Sequence, residues 1–232
     1  MLGLGLLISG LMLNPQANTQ AMQVSLPMSC KGHRAPQINV KPSQSRVKYD
    51  FTRSKAELNT VDSDTISPYG PQHKTNVNGL MSGNIRLQSS IFFVTETYNQ
   101  FNYGCVYLKS IDVEINVDPT VYIASDFDEG GCMHNAILAH EYKHVNEDQY
   151  IVNKYINEIG KALSAKVEIL GGEYGPMKIS DMVNKQNEIQ QSFHDEVRYM
   201  NQVLNTERKQ RQQDIDSLEE YQSIGIRCKN RR

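Results

Sequence analysis

Along this chain, apolar and polar residues first alternate and later fall into a helical period. The alternation is clearest at Ile111, Val113, Ile115 and Val117, where every second side chain is apolar, as in a strand with one buried face. Three β-rich runs carry the pattern: Ile85 to Tyr98, Cys105 to Val117, and Thr120 to Ala124. Asn102-Tyr103-Gly104 would turn the first into the second, and antiparallel pairing is expected. Arg46 to Phe51 reads as a shorter strand, and Thr52 as the cap of a brief helix over Lys55 to Leu58. Residues 60–78 carry Pro68, Gly70 and Pro71 among Asp, Ser and Asn, which predicts a long surface loop.

From about Met133 the period changes. Val145, Val152, Ile156, Ile159, Leu163 and Leu170 recur at helical spacing, and Gly171-Gly172 and Gly175-Pro176 end that helix. A second helix is expected from Ile179 to Tyr221, with Met182, Ile189, Phe193, Val197, Met200 and Leu204 on one face. Two long helices joined by a short connection pack as an antiparallel hairpin. The expected class is therefore α+β, a small antiparallel sheet followed by a helical hairpin.

The N-terminus changes the setting. Leu2 to Leu13 is an apolar run, too short for a bilayer span of about twenty residues but suited to the core of a signal peptide. Thr19-Gln20-Ala21 offers a cleavage site, although no Lys or Arg precedes Lys31. Residues 1–21 are thus expected to be a leader, 22–45 a loose lead-in, and 46–228 one domain without a stable membrane span. Export to a secreted or periplasmic location suits Cys30, Cys105, Cys132 and Cys228, an even set without CxxC spacing. They allow three pairings. With 24 Lys+Arg against 26 Asp+Glu, the chain has no general pull on phosphate, so nucleic acid is not the expected partner.

The chemical centre is His140-Glu141-Tyr142-Lys143-His144, which is HExxH at the point where the helical period begins. Positions i and i+4 share one face of a helix, so both imidazoles can reach one zinc ion. The Glu beside the first His can then take a proton from water. Ala136-Ile137-Leu138-Ala139 gives this helix a buried seat, and the absence of a further HxxGxxH excludes the metzincin arrangement. For a third ligand, Asp148 shares the face but lies about 12 Å along the helix from His140, so it better suits a role behind the ligands. With the hairpin turn centred near Tyr174, Glu207 falls opposite position 141, between Leu204 and Arg211 on the second stripe. Glu207 is the expected third ligand, with Glu196 and then Glu188 in reserve and an ion pair with Arg211 as its ordinary reading. The same mirror brings Cys132 near the chain end, which favours Cys132–Cys228 and Cys30–Cys105. Of the other His residues, His134 suits capping or stacking and His194 an interhelix contact, while His33 and His73 fall in loops.

HExxH with a remote acidic ligand resembles the zincin metallopeptidases, the gluzincin branch in particular. The order of parts is also similar to a family of bacterial secreted proteins described as predicted zinc-dependent proteases. Those parts are a leader, Tyr49-Asp50 in a strand, sheet strands with a Cys, Cys132 to Val145 with its HExxH, and Ile215 to Tyr221 followed by Cys228. The resemblance implies metal ligation by His140 and His144 and a catalytic base in Glu141. The expected activity is peptide hydrolysis, with Zn2+ as cofactor and a peptide or protein as substrate. An edge strand within 105–124 would hold an extended peptide, and Tyr199 would stabilise the oxyanion. The rival expectation is a non-catalytic envelope protein with a structural metal and Gln-rich helices that bind a helical partner.

Overall fold

The computed structural model describes residues 29–229 apart from 31, 44, 62–64 and 70–75; the expected leader and His73 lie outside the described residues. The elements run β1 (Gln37–Pro42), β2 (Lys48–Asp50), α1 (Lys55–Leu58), β3 (Gly79–Ser82), β4 (Ile85–Tyr98), β5 (Tyr103–Val117), β6 (Thr120–Ile123), α2 (Cys132–Leu170), β7 (Glu173–Lys178), α3 (Ile179–Ile215) and α4 (Leu218–Lys229). The class is α+β.

The alternating runs form the β4–β5 hairpin, antiparallel, with Ile91 opposite Ile111. The sheets are mixed, which corrects the single antiparallel sheet expected. β1 pairs parallel with β5, β7 pairs antiparallel with its first residues, and a second sheet has the order β2-β6-β3. The lead-in is not loose throughout, because residues 37–42 are β1. Its alternation of Ile38 and Val40 with Asn39 and Lys41 is brief and bracketed by Pro36 and Pro42, which hid it. β3 likewise begins directly after the expected loop. Ser54 rather than Thr52 caps α1: its Oγ accepts from Glu57 N–H at 3.3 Å, and the Glu57 carboxylate accepts from Ser54 N–H at 2.7 Å.

The main core lies between the β5 face and the two long helices, where Ile111, Ile115, Ile159, Leu163, Phe193 and Leu204 are fully enclosed. Gly171, at a φ of 79°, ends α2 in a conformation that costs other residues more. The chain does not then turn tightly. It runs as β7, six residues that span about 20 Å, before α3 starts back. The helices are therefore offset: Lys154 meets Glu207, Asp148 meets Arg208 and Lys166 meets Glu196. α3 also stops at Ile215, earlier than expected, because Asp216 leaves the helical conformation with φ −78° and ψ 49°. Ser217 starts α4, its Oγ accepting from Glu220 N–H at 3.2 Å.

Two disulfides close the fold. Cys30–Cys105 pins the segment before β1 to β5, and Cys132–Cys228 pins α4 to the start of α2. Among the described residues, no helix is long and apolar enough to cross a membrane.

Candidate metal centre

α2 presents His140 and His144 one turn apart, and the break after α3 turns the Asp216 carboxylate onto both. His140 Nε2 and His144 Nε2 lie 3.1 and 3.2 Å from Asp216 Oδ1, and 3.4 Å from each other. A tetrahedral zinc with bonds near 2.0–2.1 Å holds its ligand atoms about 3.3 Å apart, so this triangle already has the size of a metal site. Two imidazoles and a carboxylate are also a zinc donor set, and these three can hold a metal ion.

Behind each imidazole stands a second polar group. Gln212 Nε2 donates to His144 O at 3.1 Å and to Asp148 Oδ1 at 2.7 Å, which makes its Oε1 the acceptor facing His144 Nδ1 at 2.5 Å. His144 Nδ1 therefore donates to Gln212, which leaves Nε2, facing Asp216, as the nitrogen a metal would take in place of its proton. Asp148 is held in turn by Arg208, with Nε at 2.6 Å and Nη2 at 3.1 Å. On the other side, Glu220 Oε1 lies 3.5 Å from His140 Nδ1 and is paired with Lys143 at 2.6 Å. The Tyr221 ring stands edge-on to His140 at 5.6 Å.

The site gathers several buried ionisable groups. Among the described residues, Glu141, Asp148 and Asp216 are buried together with Arg208 and the histidines His134, His140 and His144. Burial pushes Glu141 up to about 7, although the two histidines favour its charged form and it accepts a backbone hydrogen bond from Met81. Burial alone would raise Asp216 too, but the hydrogen bonds from His140 and His144 hold it far below the usual carboxylate range. For His144, burial opposes the charge while Asp216 and Glu141 outweigh it and raise its pKa. β3 closes over Glu141 at a glycine: a Cβ on Gly79 would lie 2.3 Å from Ile137 Cγ2 and 2.8 Å from Glu141 Oε1.

The offset of the hairpin redistributes the other expected residues. Glu207 is not beside the His pair; it takes Lys154 at 2.6 Å, the Tyr155 hydroxyl at 3.1 Å and Arg211 at 2.9 Å. Glu196 pairs with Lys166 and Glu188 with Lys185. Asp148 stands two hydrogen bonds behind His144, through Gln212, rather than among the ligand atoms. Tyr199 is 59% exposed on α3, whereas Tyr221 is the tyrosine beside the histidines. Residues 105–124 are not an edge, since β5 and β6 both have strands on two sides; the edge beside Glu141 is β3. His134 packs edge-on to Phe51, His194 bonds Ser89 of β4 and Gln190 of its own helix rather than α2, and His33 meets Glu96. Asp216, the missed carboxylate, had a signal: Ser217-Leu218-Glu219-Glu220 is the S-x-x-E pattern of a new helix start, which puts Asp216 at a break.

Compared with family models, with curated proteins and with solved structures, the chain matches none.

Proposed function

We propose that the chain is a zinc-dependent peptidase of a secreted or periplasmic compartment, akin to the zincins. The observation that carries the reading is the triangle of His140 Nε2, His144 Nε2 and Asp216 Oδ1 at 3.1 to 3.4 Å beside a buried Glu141. Three protein ligands leave a fourth position on a tetrahedral ion, the arrangement of catalytic rather than structural zinc. When bound, zinc supplies Lewis acidity, polarising a carbonyl and acidifying water. Glu141 suits the base: burial keeps its pKa near neutrality, and a cation next to it favours the charged form that accepts a proton. Protonated, it can return that proton to the leaving amine. The β3 edge next to it offers backbone groups to an extended peptide. Two disulfides support the oxidising compartment.

Protein offered zinc at neutral pH should retain one ion per chain and cut an unfolded casein. His144→Ala should lose the metal, whereas Glu141→Gln should keep it and lose at least about 100-fold in rate. Zinc retained with no Glu141-dependent hydrolysis would overturn the reading. The second reading is a structural metal clamp, favoured by closure, since no member of the triangle is more than 6% exposed. Under it, a chelator unfolds the protein; under the first, a chelator silences it while the fold persists.

A further inference from the structure

The catalytic set is closed to solvent: His140 is 4% exposed, Glu141 3%, His144 6% and Asp216 5%. A polypeptide cannot be cut at a centre it cannot enter. Part of the closure comes from residues 65–69, a described piece of the expected surface loop. The Thr65 side chain hydrogen-bonds the Asp216 carboxylate, one of the three ligands. Ile66 N–H donates to Gln213 Oε1 at 2.8 Å, and Ile66 C=O accepts from Gln213 Nε2 at 3.0 Å. That primary amide thus clasps both polar groups of one backbone residue, as it could those of any extended peptide. Tyr69 stands edge-on to Tyr221 at 6.1 Å, and Tyr221 stands edge-on to His140.

All these contacts fall on the α3–α4 corner that carries the ligand. None of them is core packing, since Ile66 is 67% exposed and Tyr69 38%. A few hydrogen bonds and one ring edge are weak enough to release without unfolding the domain. Resting on the peptidase reading, we propose that residues 65–69 are an inhibitory strap: an in-chain peptide that occupies the approach to the metal centre and lifts before an extended substrate enters.

The test uses the full zinc-loaded protein and substitutes only the strap, with Thr65→Ala/Tyr69→Ala. Two quantities are followed, the rate at which a chelator extracts zinc and the rate of casein hydrolysis. Both should rise about tenfold while zinc content at saturation stays the same. Gln213→Ala loosens the same contact from α3 and should speed extraction likewise, so failure of one variant to fold does not end the test. Unchanged extraction in both variants would overturn the strap, and the peptidase reading would stand if wild-type hydrolysis depends on Glu141. Faster extraction without hydrolysis in any variant would keep the strap as a cover and overturn the peptidase reading.

Discussion

Along the outer part of the α2–α3 pair, Ile159 and Leu163 share one enclosed cluster with Ile189, Phe193 and Val197. Nearer the α3–α4 corner the same two helices meet through His144 and Gln212, then Asp148 and Arg208, with His140 facing Asp216 beyond. The apolar part is redundant. Each side chain contributes through the area it buries, and the loss of one leaves the others in place. The polar part has no such slack. Every group there is a partner of the next, and a missing member leaves a buried charge or dipole without its complement. One hairpin therefore joins a tolerant half to an exacting half, and the exacting half holds the three side chains that could bind a metal.

The largest effects should separate the halves by kind rather than size. Phe193→Ala should cost about 3–5 kcal/mol in denaturant unfolding and leave zinc affinity of the folded protein unchanged. Arg208→Met should cost a similar amount, about 3–5 kcal/mol, by stranding Asp148, and should also weaken zinc binding through Gln212. If both variants shift zinc affinity equally, the division of the hairpin is wrong. Next in size, Gln212→Ala should lower zinc affinity by about 10–100-fold in a competition titration, because it frees the His144 tautomer.

A smaller effect follows from pH. In metal-free protein Glu141 is raised from 4.5 to about 7, so between those values the folded state binds a proton that the unfolded state has lost. Stability should therefore fall as pH rises across that window. His144, raised above 6.5, adds stability at low pH that is lost in the same direction as pH rises through its folded value. Melting temperatures of chelator-treated protein should decline from pH 5 to 7.5, and Glu141→Gln should flatten much of the slope. The smallest change is expected from Glu207→Gln, below about 1 kcal/mol with zinc affinity intact, since its partners Lys154 and Arg211 are partly exposed. A large loss of zinc in that variant would restore it as a ligand.

What was legible in the sequence follows the range of the interactions. The stripe through Ile159 and Leu163 is set by neighbours a turn away, and so is the juxtaposition of His140 with His144. Both could be read without knowing any partner. The remote carboxylate depended on how far α3 is displaced along α2. That displacement came from residues 173–178 being an extended strand on β5 rather than a tight turn. Each residue of extended chain advances about twice as far as a helical one, so a small misreading of the connection moved the facing position from Asp216 to Glu207. β1 was hidden for a related reason: a parallel partner such as β5 is reached through a long excursion, and no local turn announces it.

The separation of 76 residues between His140 and Asp216 also bears on timing. A chain made from its N-terminus acquires HExxH well before it acquires the carboxylate that completes the triangle, and Cys228, which holds α4 against α2, comes later still. While the intervening residues are made, then, the polypeptide carries two of the three candidate ligands without the third. The assembled triangle becomes available only once Asp216 has been made and α4 can be pinned to α2.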